Sequence, residues 1–369
     1  MAWSWRIGRV AGIEVRVHAT FVLLLVWAAI IYYREFGTAA GAFQGVLFTL
    51  ALFASVVLHE FGHALMARRY GVSTKDITLL PIGGVARLES IPDKPKQELA
   101  VAIAGPAVTL AIALALYLVF LVTGTAVPSP TAILGQGTAS AWLARLMWVN
   151  VSLLVFNLLP AFPMDGGRVL RAALSLRMPA LRATAIAAGI ARAFALLFGL
   201  VGLLYNPFLV LIALFVWMGA AGESAALQQR TLLSGVPVER VMIRDFRTLT
   251  PRDTLAAALE HVLAGFQHDF PVVDGDRVTG VLTRAGLLSA LAQRGPDSRV
   301  ADAMDASFRT AEPQEPVERA LARLRECKCQ TLPVLAGGKL AGVVTLENVA
   351  EFVMIQSALR TAAAERHAS

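Results

Sequence analysis

Apolar positions in the first half of this chain do not alternate with polar ones but run on unbroken. Stretches long enough to cross a bilayer, or nearly so, occupy about residues 19–33, 44–66, 99–123, 142–160, 184–205 and 207–221. Asn206-Pro207 interrupts what would otherwise be a single run and predicts a tight turn between two antiparallel spans. Six spans return both ends of the chain to one side. Between spans two and three, Asp76–Leu88 reads as two short strands about a Gly83-Gly84 turn. Backbone cannot lie unpaired in lipid, so such a hairpin belongs at the interface or under protein cover.

Past residue 222 the pattern becomes that of a soluble domain. Residues 223–236 read as a polar hinge, and an internal repeat with a constant offset of 62 follows. Met242 matches Met304, Pro251 matches Pro313, Pro271-Val272 matches Pro333-Val334, and Gly280-Val281 matches Gly342-Val343. Each copy predicts a helix, a short strand, a turn (Asp274-Gly275 or Gly337-Gly338), a second strand and another helix. The expected fold is a polytopic α-helical membrane protein of about six transmembrane helices with a short interfacial β-hairpin, followed by an α/β tandem module. The expected division is 1–222 in the membrane, 223–236 as linker, 237–296 and 297–358 as the two copies, and 359–369 as a polar tail.

Composition agrees with a membrane assignment: 56% of the 369 residues are hydrophobic and 16% charged. The net charge of +7 could suggest nucleic acid, but its placement argues for membrane topology and against a direct nucleic-acid partner. Arg6, Arg9 and Arg16 precede span one; Arg68, Arg69, Lys75, Arg87, Lys94 and Lys96 follow span two; Arg168, Arg171, Arg177 and Arg182 follow span four. All fall on one side, which the positive-inside rule makes cytoplasmic, so both termini and the repeat module are expected there. Arg192, within span five, is expected to snorkel toward that face. Cys327 and Cys329 stand too close together to staple distant elements.

Chemistry concentrates in His59-Glu60-Phe61-Gly62-His63, inside span two. Two imidazoles and a carboxylate in apolar surroundings need a reason to be there. Residues four apart on a helix share a face, so His59 and His63 can reach one ion with Glu60 beside it, the H-E-x-x-H signature. A hydrolytic zinc site needs three protein ligands and an open position. Asp165, after Asn157-Leu158-Leu159-Pro160-Ala161-Phe162-Pro163-Met164, is the expected third ligand, because the charge-derived topology brings the ends of spans two and four to the same face. Alone, Asp165 before Gly166-Gly167 would read as a turn residue. Glu60 is the expected general base. Asn157 is a candidate for substrate or oxyanion contact or for interhelical hydrogen bonding, and Gly83-Gly84 for strand addition of an extended substrate.

Together with Leu80-Pro81-Ile82-Gly83-Gly84-Val85, Ala104-Gly105-Pro106-Ala107 and Asn157 through Gly167, this pentapeptide resembles the site-2 protease family of intramembrane zinc metalloproteases. It looks like the six-span prokaryotic branch with a C-terminal pair of cystathionine β-synthase (CBS) domains. The resemblance implies one zinc ion on His59, His63 and Asp165, a catalytic Glu60, and cleavage within or beside a membrane helix of a protein substrate. That substrate would be an anti-sigma factor or a membrane-tethered transcription factor, met at the cell membrane. His18 resembles a recurrent position of the family, with an interfacial structural role the plainer reading. The repeat resembles a CBS pair, which implies an adenosine nucleotide between its halves, near Thr283, Thr345 and Asn348, and a homodimer formed through the pair. It departs from the usual G-x-x-T/S-x-x-D, because Gly286 and Asn348 stand where an aspartate would hold ribose. Two other readings are a CBS-regulated transporter or channel, which the clustering of ionisable groups at one face disfavours, and an inactive membrane-segment binder, which an intact Glu60 disfavours.

Overall fold

The computed structural model describes residues 3–81, 83–88, 94–132, 138–265, 267–327 and 330–368. Ile82 and Cys329 lie outside them. The chain forms two units, Met1–Leu227 and Gln228–Ser369.

The first unit begins with β1 (Ser4–Val10) and β2 (Ile13–His18), continues through α1 (Thr20–Phe36) and α2 (Ala39–Arg69), and returns to β3 (Thr74–Leu80) and β4 (Gly83–Leu88). The four strands form one sheet in the order β1-β2-β3-β4. β2 and β3 are parallel neighbours, with Glu14 opposite Asp76 and Val17 opposite Leu79. The expected hairpin is therefore the outer half of a larger sheet. Gly83 and Gly84 open β4, opposite Leu80 and Leu79, rather than forming the turn. Ile13, Val15 and Ile77 pack on Phe61 and Ala64 of α2, which seats the sheet against the helix carrying the histidines. Across the sheet, burial opposes ionisation of Asp76, but hydrogen bonds from Arg87 outweigh it and hold that carboxyl below the usual carboxylate range.

Then follow α3 (Pro95–Thr123), α4 (Ala139–Asn157), α5 (Asp165–Ser175), α6 (Ala180–Tyr205) and α7 (Pro207–Leu233). Local chemistry sets their ends. Gly37 and Gly124 adopt left-handed backbone just past α1 and α3, while Thr38 and Thr138 accept hydrogen bonds from the first turns of α2 and α4. Asn206 separates α6 from α7 as expected, its carboxamide oxygen accepting from the Phe208 N–H. By length and apolar composition α2, α3, α4, α6 and α7 can each cross a membrane. α1, at the place of the first predicted span, has only 17 residues and ends in Arg34-Glu35-Phe36. Small residues make the helix contacts: Ala187, Ala188, Ala191 and Ala195 of α6 pack with Val216 and Ala220 of α7. Large side chains such as Val122, Leu203 and Phe208 point outward, as lipid-facing positions do. α7 continues through residues 223–233, where a hinge was expected. Glu223, Ala225, Ala226, Leu227 and Gln228 are good helix formers, so the polar composition marks a change of solvent and not the end of a helix.

In the second unit, α8 (Leu255–Ala264), β5 (Phe270–Asp274), β6 (Arg277–Leu282) and α9 (Arg284–Arg294) recur as α10 (Val317–Cys327), β7 (Thr331–Ala336), β8 (Lys339–Thr345) and α11 (Leu346–Ala368). The repeats exchange their leading segments. Ile243 pairs with Val343, and Val238 and Val241 join the core of the second copy; the equivalent Asp305 pairs with Val281, and Val300 joins the core of the first. A Cβ on Gly280 would meet Met304, and one on Gly342 would meet Met242, the matching clash in the other copy. Each core is thus completed by sequence from the other repeat.

Candidate metal centre

His59 and His63 lie on one face of α2, both buried, and Asp165, the first residue of α5, faces them. His59 Nε2 is 3.0 Å and His63 Nε2 3.1 Å from Asp165 Oδ2, and the two Nε2 atoms are 3.1 Å apart. Their outer nitrogens fix the tautomers, as assigned from hydrogen-bond partners. His63 Nδ1 lies 2.7 Å from the carbonyl oxygen of Val101, a pure acceptor, so Nδ1 carries the proton. The Thr109 hydroxyl donates to the Gly105 carbonyl and so accepts from His59 Nδ1–H at 2.8 Å. Both Nε2 atoms therefore present lone pairs to a carboxylate oxygen. Three acceptors about 3 Å apart repel one another unless a cation or protons lie among them. Two neutral imidazoles, each oriented by an outer partner, and a carboxylate form the donor set that suits zinc. His59, His63 and Asp165 are the one such cluster among the described residues.

The backbone around the cluster explains several glycines. A Cβ on Gly105 of α3 would collide with both imidazoles. Gly62 lets α2 approach the Ala104 carbonyl of α3. Gly166 and Gly167 let the start of α5 fold onto the backbone of residues 158–162. Asp165 sits at a helix N-terminus, which favours a carboxylate.

Glu60 is half-buried on α2, its carboxylate without a hydrogen-bond or ion-pair partner among the described residues. β4 crosses directly over it: a Cβ on Gly84 would lie 2.9 Å from Glu60 Cγ. β4 pairs with β3 alone among the described strands, so no strand occupies its outer edge. Gly83, at φ 138°, begins that strand. Asn157 is the last residue of α4, half-buried, and no hydrogen bond engages its carboxamide among the described residues. His18 is engaged locally with the Thr20 hydroxyl at 2.8 Å, and Arg192 is exposed and donates to the Ala188 carbonyl.

The nucleotide candidates are differently placed. The Thr283 hydroxyl accepts from the Gly286 N–H and the Thr345 hydroxyl from the Asn348 N–H, so both cap helices. Asn348 donates through Nδ2 to the Val241 carbonyl. A Cβ on Gly286 would meet the Ala303 carbonyl at 3.2 Å, and Ala303 is the repeat equivalent of Val241. In both copies the exchanged segment runs against the position where the resemblance expects an aspartate. Thr109, the Val101 carbonyl and the steric role of Gly105 were missed in the sequence. A signal existed, since Val101, Gly105 and Thr109 recur every four residues on one face of α3.

A bundle of spanning helices with two histidines, an aspartate and an unpartnered glutamate at one site is the architecture of a membrane metalloprotease. The comparisons agree. Peptidase family M50 matches residues 47–200, and the CBS domain matches 238–293 and 300–355. The zinc metalloprotease MJ0392 of Methanocaldococcus jannaschii is 34% identical over 95% of this chain and 96% of its own. Rip3 of Mycobacterium tuberculosis is 31% identical over 94% of this chain and 92% of its own. The solved site-2 protease from Methanocaldococcus jannaschii is 40% identical, covering 60% of this chain and 95% of that one, with a TM-score of 0.43. The chain belongs to peptidase family M50, the site-2 zinc metalloproteases, with a C-terminal tandem CBS pair.

Proposed function

We propose that the chain is an intramembrane endopeptidase that cuts a membrane-protein substrate within or next to a transmembrane helix. Zinc would be held by His59, His63 and Asp165. The observation that carries this is the set of three mutually facing acceptors, the two imidazoles oriented from behind, with Glu60 left unpaired at their side. When bound, zinc supplies a Lewis acid and lowers the pKa of water toward neutrality. Glu60 takes the proton as the water oxygen bonds to the scissile carbonyl carbon. It returns that proton to the amide nitrogen as the C–N bond breaks. The open edge of β4 would hold the unwound substrate strand, with Gly84 letting it pass close to Glu60, and Asn157 would donate to a substrate carbonyl.

Topology follows the same reading. Parallel neighbours β2 and β3 support a chain that leaves and re-enters one face through α1 and α2, so that α1 counts as a sixth, short span. The arginine and lysine distribution makes that face, both termini and the CBS pair cytoplasmic, in the cell membrane. An anti-sigma factor or a membrane-tethered transcription factor is the substrate class. The CBS pair modulates cleavage or docks the substrate, with an adenosine nucleotide as its candidate ligand. Exposed Leu288, Met354 and Ile355 on α9 and α11 support a homodimer through that pair. The test is co-expression with a tagged membrane substrate. Glu60→Gln should retain zinc and lower cleavage by about 10²–10⁴-fold; undiminished cleavage would refute the assigned base.

A further inference from the structure

Arg171, on α5 beyond Asp165, is buried at 5% exposure, a costly place for a guanidinium. Its Nε donates to Glu98 of α3 at 2.7 Å and its Nη1 pairs with Glu223 of α7. The guanidinium carbon lies 5.4 Å from the centroid of the Phe162 ring. These partners neighbour the parts of the metal centre that do not belong to α5. Glu98 is one turn before Val101, whose carbonyl orients His63, on the helix whose Thr109 orients His59. Glu223 is one turn past Gly219 and Ala220, and those residues pack on Pro163 and on Ala161, Phe162 and Met164, the loop that delivers Asp165. One guanidinium thus ties the helix bearing the aspartate to the helix that aims the imidazoles and to the helix that backs the ligand loop.

We propose that Arg171 is a positioning residue, acting through Glu98 and Glu223 to set where the Asp165 carboxylate meets His59 and His63. The proposal rests on the zinc-protease reading above. A fork of five N–H donors can engage two carboxylates and stack on a ring at once, which a lysine ammonium cannot reproduce. Two carboxylates against one cation leave the cluster one negative charge in excess, so removing the arginine leaves both unbalanced.

The test uses the full chain in detergent micelles. It reads zinc affinity by competition with a chelator, together with kcat, KM and the melting temperature of the zinc-free protein. Arg171→Gln should weaken zinc binding about 10–100-fold, as loss of an outer-sphere orienting contact does. Arg171→Lys should fall between that and wild type. Glu223→Gln should lower kcat more than it changes KM. A variant series with a depressed melting temperature but zinc affinity within twofold of wild type at all three substitutions would overturn the proposal, leaving Arg171 a staple only. Should Arg171→Gln fail to fold, Arg171→Lys and Glu223→Gln decide by the same criteria. If His59→Ala retained as much zinc as wild type, the metalloprotease reading itself would fall, and this proposal with it.

Discussion

In the membrane unit, Nε2 of His59, Nε2 of His63 and Oδ2 of Asp165 face one another at 3.0–3.1 Å, and hydrogen bonds to Thr109 and the Val101 carbonyl aim the two imidazoles. In the second unit, Thr283, Thr345 and Asn348 have turned their polar atoms to internal partners, capping α9 and α11 and fastening the exchanged segment at Val241. Both regions carry motif residues, but only the first aims its acceptors at one another. Buried polar groups are almost always paired. A site whose groups are aimed at each other as acceptors therefore specifies a cation, whereas Thr283 and Thr345 each accept one backbone N–H and keep a hydroxyl donor to offer a ligand.

The metal centre is most vulnerable at Gly105. Gly105→Ala drives a methyl group into both imidazoles, and its zinc content should fall to that of His59→Ala; normal zinc loading would show that the cluster can rearrange around it. Next in size, Thr109→Val keeps the volume but removes the acceptor behind His59. Zinc affinity should drop about 10–100-fold, with Thr109→Ser restoring most of it, read by chelator competition. In the second unit, Asn348→Asp restores the carboxylate of the usual CBS pattern but sets it against the Val241 carbonyl. Thermal unfolding should show a loss of about 1–3 kcal/mol without tighter binding of AMP in calorimetry; a large gain in AMP affinity would mean that the exchanged segment yields. Smallest of all, Thr345→Ala should cost about 1 kcal/mol through the lost cap and leave zinc affinity unchanged.

The sequence made the metal cluster legible because its signal is local: His59, Glu60 and His63 share a helix face, and charge placement brought Asp165 to the same end of the bundle. Thr109 and Val101 escaped because their contribution depends on where α3 packs, which no spacing encodes. The apolar runs located the spanning helices, since a bilayer demands length. β1 and β2 were passed over because Arg6, Arg9 and Arg16 read first as topology signals and because β2 finds its partner β3 some sixty residues away. α5 was missed because its polar face resembles a loop between spans. The repeat was plain at an offset of 62, yet the exchange of residues 236–243 against 298–305 was not, because a constant offset looks the same whether each copy closes on itself or on its neighbour.

The pairing of β2 with β3 also dictates an order of assembly. β2 leaves the ribosome first but has no neighbour on its inner edge until Thr74–Leu80 has been made, with the whole of α1 and α2 made in between. The strand is a latch that waits for two helices. Because the same β3 then pairs with β4, the strand that crosses Glu60, the sheet beside that carboxylate is complete only once both helices have been made.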